Sequence, residues 1–174
     1  FNSLKGLKVK YETISSYLDC FIDAYIISKS YRYDIKGRSY IDTPLKYYFT
    51  DIGLRNARLN FRQQEENHIM ENIIYNELIA RGFNVDVGVV EYNHKDDSGK
   101  KVRTQLEVDF VVNKTEKRYY IQSALTVSDE DKRRQEVNSL NKIDDSYAKI
   151  VVVRDNILPW RDEKGVLYIN IEDF

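Results

Sequence analysis

From residue 68 onward the hydrophobic period of the chain changes in a fixed order, and that order restricts the fold more than any other feature. Between His68 and Arg81 the apolar residues Met70, Ile73, Ile74 and Leu78 recur at helical spacing, and Gly82 is placed to end the helix. Phe83–Tyr92, Val102–Val112 and Arg118–Thr126 then read as strands, and Ser128 or Asp129 can cap a second helix running to about Ile143. Lys149–Val153 is a continuous apolar run of the kind found in strands buried on both faces, and Gly165–Ile171 is one more short strand. Helix, three strands, helix, strand predicts an α/β fold with helices packed on a sheet.

Carboxylates fall on this framework at positions that need explaining. At 100° per residue Glu77 lies between Ile73 and Met70 near the middle of the apolar face, and Glu71 lies beside Leu78 at its margin. A carboxylate so placed needs a partner or a metal. On the second strand Leu106, Val108, Phe110 and Val112 are expected to face one way, with Glu107 and Asp109 together on the other. On the third, Tyr119, Ile121, Ser123 and Leu125 oppose Tyr120, Gln122 and Ala124. The polar, glycine-containing stretch from Asn93 to Lys101 reads as a hairpin loop of a type that is often mobile.

Ahead of this core, Ile14, Leu18, Phe21, Ile22, Tyr25 and Ile26 mark a helix with one buried face. Ala24–Asp34 alternates, Ile35-Lys36-Gly37-Arg38 supplies a turn, and Ser39–Asp42 returns. Helix then hairpin, with Lys36 and Arg38 at the tip, resembles the end of a winged-helix module whose wing touches phosphate. Glu12, Asp19 and Asp23 on the outward helix face would repel a phosphate backbone, so a protein-binding wing is the competing reading. Lys46–Leu54 reads as a short strand entering a helix capped by Thr50 or Asp51. The polar stretch 60–67 is the expected boundary between an N-terminal module, residues 1–59, and an α/β domain, residues 68–174.

Composition narrows the class. Of 174 residues, 42% are hydrophobic and 32% charged, enough for a core and against disorder. No apolar stretch approaches the roughly 20 residues that span a bilayer, and no secretion leader is evident, so a cytoplasmic chain without membrane contact is expected. Cys20 is the one cysteine and His68 and His94 the only histidines, which leaves no repeated zinc-ligand spacing. A net charge of −1 confines any DNA contact to local patches. Fourteen tyrosines are available to stack on bases, yet mid-strand positions such as Tyr119 and Tyr120 favour packing. Phe1 in place of Met suggests a piece of a longer protein, and no Walker-type phosphate loop occurs, so any ATP site lies outside this chain.

The segments KYYFTDIGLRNA, ENIIYNELIARGFNV, EVDFVV and YYIQSAL, in this order, resemble the PD-(D/E)XK (restriction-endonuclease-like) superfamily. Within it they are similar to the C-terminal domain of unknown function of bacterial and archaeal AAA-type ATPases, where a winged helix precedes the nuclease-like part. The resemblance implies a restriction-endonuclease-like αβββαβ core, a possible DNA partner and an ATPase module in the same parent protein. It also implies a site in which Glu71 is the helix acid, Asp109 the strand acid and Gln122 the Glu/Gln position, with Mg²⁺ held by Asp109, Glu107 and Glu71. Ala124 stands where the family's lysine is expected.

Three readings follow. One is a nucleic-acid-engaging or regulatory module with a degenerate site; another is an active Mg²⁺-dependent DNA endonuclease in which the missing lysine is replaced from the following helix, where Lys132, Arg133 and Arg134 lie. The third is a protein-interaction scaffold, in which Glu71, Glu77, Asp109 and Gln122 form a buried network that fixes helix on sheet. Lys36, Arg38, Lys132 and Arg133 are the candidate phosphate contacts, although Lys132–Arg134 also suits a solvated face paired with Asp129, Glu130, Asp131 and Glu136.

Overall fold

The computed structural model describes residues 10–62, 65–95 and 99–174, and of Thr43 only the backbone. Phe1, on which the expectation of a longer parent rests, Gln63 and Gln64 of the expected boundary, and Asp96–Ser98 of the loop expected to be mobile lie outside the described residues. The elements are α1 (Tyr11–Asp23), β1 (Ile27–Asp34), β2 (Ser39–Phe49), α2 (Ile52–Arg58), α3 (Glu66–Ala80), β3 (Asn84–Lys95), β4 (Lys101–Lys114), β5 (Lys117–Ala124), α4 (Glu130–Glu136), a 3-10 turn at Leu140–Lys142, β6 (Ala148–Val153), β7 (Trp160–Arg161) and β8 (Leu167–Asn170).

Among the described residues the strands form one eight-stranded mixed sheet in the order β2-β1-β3-β4-β5-β6-β8-β7. The α/β expectation therefore stands. The hairpin read as a wing is not a separate sheet: β1 pairs in parallel with β3, Arg32 opposite Val87. The sheet thus continues across the polar stretch at 60–67. The expected short strand at Lys46 is the far half of β2, which runs unbroken from Ser39 and is followed by α2 with Asp51 as its N-cap, accepting from Leu54 N–H at 2.6 Å.

Helices cover both faces. On one, α3 packs Ile74 and Leu78 against Phe110, Val112 and Ile121; on the other, Val137, which caps the end of α4, and Leu140 of the 3-10 turn after it pack against Val108, Val111 and Tyr120. Each fully buried aliphatic side chain contributes about 2 kcal/mol. Gly82, at φ +76°, ends α3: its N–H bonds Ile79 C=O while Phe83 N–H reaches back to Leu78 C=O. Tyr25 takes the same left-handed position after α1, at φ +57°, so the first helix ends at Asp23 and excludes Tyr25 and Ile26. No residue of α1 is fully buried, contrary to the expected buried face. Helix α4 stops at Glu136 rather than near Ile143, the chain continuing as a 3-10 turn.

Two corrections concern the site. The buried stripe of α3 is Met70, Glu71, Ile74, Tyr75 and Leu78, with Asn72 buried beside it, while Ile73 and Glu77 are exposed. The i, i+1, i+4, i+5, i+8 spacing makes a continuous helical face, so Glu71 and not Glu77 enters the core. The second correction is a β-bulge. Asp86 pairs with Val111 but Gly88 with Val108, so β4 spends one extra residue at Asp109-Phe110 opposite Val87. Val108 and Val111 therefore share one core cluster and Phe110 and Val112 the other, in place of the single face expected for Val108, Phe110 and Val112. No helix among the described residues is long and apolar enough to cross a membrane.

Candidate functional site

Strands β4 and β5 pair from Lys114 opposite Lys117 to Phe110 opposite Ile121, and there they part. Beyond the fork β5 is held from its other side by β6, Gln122 opposite Val151 and Ala124 opposite Val153. Backbone groups freed by the split still need partners, and side chains supply them. Asp109 Oδ2 accepts from Ser123 N–H at 2.8 Å and from Ser123 Oγ at 3.1 Å, and Gln122 Oε1 accepts from Asp109 N–H at 3.3 Å. The fork opens into a cleft of about 210 Å³ lined by Asn67, His68, Met70 and Glu71 of α3, Asp109, Gln122–Leu125, and Glu136 of α4.

Burial pushes the Asp109 carboxyl up to about 7, and the Glu71 charge adds to the effect against the pull of the Ser123 hydrogen bonds and of Lys46. Near neutrality Asp109 thus holds a proton in a large fraction of molecules. Glu71 is engaged from the side of β2: its Oε1 accepts from Tyr48 Oη at 2.7 Å and lies 2.5 Å from Lys46 Nζ. Lys46 Nζ also lies 2.9 Å from Glu107 Oε1, and Arg32 sits 2.7 Å from Glu107 Oε2. The result is an alternating chain of charges, Arg32, Glu107, Lys46, Glu71. Burial opposes the Lys46 charge, but Glu71 and Glu107 outweigh it and raise its pKa; burial likewise opposes ionised Glu107, but Lys46 and Arg32 lower its pKa. Burial and Glu71 together raise the Tyr48 pKa, so the phenol stays a donor.

Asn72 fixes β2 in place for this. Its side chain accepts from Phe49 N–H at 2.9 Å and donates to Phe49 C=O at 2.7 Å, clamping the end of β2 to α3 one residue from Glu71. Lys46 and Tyr48, two residues apart on a strand, then point to the same side, at Glu71.

The expected residues are partly brought together. Glu71 and Asp109 line the cleft, and Glu107 joins Glu71 only through Lys46. Gln122 lines the cleft but turns its amide oxygen to Asp109 N–H and to Ser139 Oγ at 3.4 Å. Ala124 is buried in the core cluster with Tyr120, on the side covered by Val137 and Leu140. Glu77 is outside the expected network, paired with Arg81 at 2.8 Å on the surface. Lys132, Arg133 and Arg134 do not line the cleft: Arg134 pairs with Glu130 at 2.6 Å and Arg133 lies over the Trp160 ring. Lys36 and Arg38 line a different pocket. His68 stands at the cleft 3.4 Å from Glu65, His94 stacks on Tyr92, and Cys20 is exposed.

These residues do not fit Mg²⁺. A hard divalent ion needs several oxygens that carry uncompensated negative charge, whereas Lys46 sits against Glu71 Oε1 and Glu107 Oε1, Arg32 against Glu107 Oε2, and Ser123 takes up Asp109 Oδ2. Among the described residues no group of three or more His, Cys, Asp or Glu side chains is placed to hold a metal ion. The sequence reading missed Lys46, Tyr48, Asn72 and Ser123. The available signal was a lysine two residues before a tyrosine in an otherwise aromatic strand.

Residues 1–65 match a family described as a domain of unknown function (DUF8612). A protein of Haemophilus influenzae described as an uncharacterized protein is 32% identical over 140 residues, which cover 80% of this chain and 31% of the relative. The chain therefore spans under a third of that relative's length. No solved structure matches it.

Proposed function

We propose that this chain is a cytoplasmic nucleic-acid-engaging module with a restriction-endonuclease-like core and a degenerate site, carried as the C-terminal part of an AAA-type ATPase. The observation that carries the degenerate-site reading is Lys46 Nζ between Glu71 and Glu107, at 2.5 and 2.9 Å. Metal-assisted phosphodiester hydrolysis needs a divalent ion to activate water and to take up charge on the phosphate. Here a tethered ammonium already neutralises the acids, and Ala124 brings no lysine to the cleft. The fork at Asp109 and the order of elements from α3 to β6 support the nuclease-like part; the ATPase context rests on the sequence resemblance.

The test is cleavage of supercoiled and branched DNA with Mg²⁺ or Mn²⁺, comparing the chain with Asp109→Ala, while binding of the same DNA is followed at two salt concentrations. Salt-sensitive binding without cutting is the expected result. Metal-dependent cutting lost in Asp109→Ala would overturn the degenerate-site reading.

A second reading is favoured by one observation. An apolar groove of about 530 Å³ lies between α1, the β1–β2 hairpin and α2, lined by Leu18, Phe21, Ile26, Tyr47, Phe49 and Leu54 among others. An exposed apolar surface of this kind suits a protein partner. Absence of both binding and cutting would leave this scaffold role as the better account.

A further inference from the structure

The cleft at the β4–β5 fork is lined by Glu71, Asp109 and Glu136 and by no lysine or arginine among the described residues, a poor place for phosphate, so nucleic acid must be met elsewhere if the chain engages it. A pocket of about 460 Å³ lies beside the β1–β2 hairpin tip, lined by Lys36 and Arg38 of the tip, Tyr33, Arg118 of β5, and Asp144, Asp145 and Tyr147. It shares no lining residue with the cleft. Its volume falls in the range of small-ligand sites.

The tip is built to hold its two cations. Asp34 Oδ1 accepts from Lys36 N–H at 3.1 Å and Gly37 N–H at 2.9 Å, closing the turn, and Arg38 takes a left-handed φ of +54°. Arg38 makes no ion pair with a described residue, and Lys36 has only Asp144, at 4.0 Å. Across the pocket Arg118 is preorganised: its Nε donates to Asn113 Oδ1 at 2.8 Å, and its guanidinium lies 5.2 Å from the Tyr33 ring and 5.4 Å from the Tyr147 ring.

The two carboxylates offset these charges only in part, since three cations, Lys36, Arg38 and Arg118, line the pocket with Asp144 and Asp145. Asp145 accepts from Tyr120 Oη at 2.5 Å and Tyr147 N–H at 3.2 Å, which turns it towards the wall, while the Asp144 side chain is 89% exposed at the rim. Tyr147 is 44% exposed; Arg118 lies over its ring and Tyr120 meets it edge-on, so a base would stack on the part of the ring that these two leave open.

We infer that this pocket binds one nucleotide of a single-stranded nucleic acid, with the phosphate on Lys36 and Arg38 and the base stacked on Tyr147. The inference rests on the nucleic-acid reading above and gives it a place. A duplex keeps its bases stacked internally and offers Tyr147 no face, so the single strand is the preferred form.

The experiment is fluorescence anisotropy of a labelled single-stranded oligothymidylate of about 12 nucleotides, with unlabelled single strand or duplex as competitor. The variants are the double charge reversal Lys36→Glu/Arg38→Glu and, separately, Tyr147→Ala, each checked for an unchanged melting curve. Each is expected to weaken Kd about tenfold. One phosphate contact on a single strand costs the wild type roughly two- to threefold in affinity between about 50 and about 200 mM salt. The charge variant loses that dependence and Tyr147→Ala keeps it. Wild-type binding that neither variant weakens would overturn the pocket while leaving the nucleic-acid reading intact. Equal competition by duplex would overturn the single-strand preference, and no wild-type binding at low salt would overturn both.

Discussion

Lys46 and Glu71 meet head to head, Nζ to Oε1 at 2.5 Å, although one lies on the outermost strand of the sheet and the other on the helix that covers it. Their side chains are 26% and 10% exposed, so the pair is largely withdrawn from water and the loss of either partner strands a charge. Lys46→Met is expected to cost about 3 kcal/mol in urea denaturation. Adding Glu71→Gln to it recovers part of that loss, with a coupling energy of about 1 kcal/mol or more in a double-mutant cycle. Strict additivity would show that the two groups do not act as a pair.

Asp109 makes stability depend on pH in a direction opposite to most carboxylates. Its folded pKa of about 7 lies above the unfolded value, so the native state binds the extra proton, and this contribution, full below about pH 4, is lost as pH rises through about 7. Asp109→Asn, which keeps an oxygen acceptor for Ser123, matches the wild type near pH 4. At pH 8 the variant is expected to exceed the wild type by on the order of 2–4 kcal/mol. Denaturation midpoints across this pH range check it, and parallel curves for the two proteins would refute the assignment. Glu107 works the other way: its lowered pKa gives stability above its unfolded value that is lost as pH falls through the folded one, which steepens acid unfolding.

Tyr48→Phe isolates the hydroxyl donated to Glu71. The ring stacks on Tyr75 at 4.0 Å, a contact phenylalanine keeps. The expected loss is about 1.5–2 kcal/mol, the value of a hydrogen bond to a charged acceptor. A thermal shift close to zero would mean that Glu71 draws its support from Lys46 alone.

Gly88 lies opposite Val108 beside the bulge, where a Cβ would stand 2.9 Å from Ile35 Cδ1, Val108 Cβ and Val111 Cγ2. Gly88→Ala is expected to destabilise by about 2 kcal/mol through overpacking, and Val111→Ala in the same chain to return part of it. Chemical denaturation of the single and double variants measures both. A neutral Gly88→Ala would show that the bulge yields easily and does not hold Asp109 in place.

Much of the chain was legible from local spacing. The order of elements from α3 to β6, the stop at Gly82 and the Asp51 cap follow from periods and punctuation written within a few residues of each other. Glu71 and Asp109 were legible as carboxylates in need of partners, because one falls near an apolar helix face and the other on a strand. Their partners were not, because hydrophobic period gives the face of an element and says nothing about what another element brings to it.

The sequence by itself determined the order of helices and strands from α3 to β6 and the stop of α3 at Gly82, since those properties depend on neighbours two to five positions away. The tertiary structure alone decided the rest. The parallel pairing of β1 with β3 drew the hairpin into the main sheet, and the one-residue bulge at Asp109-Phe110 changed which β4 side chains share a face. The Asn72 clamp on Phe49 brought Lys46 to Glu71. Each depends on backbone hydrogen bonds and packing between segments far apart in the chain, where a shift of one residue would turn the side chains to the opposite face.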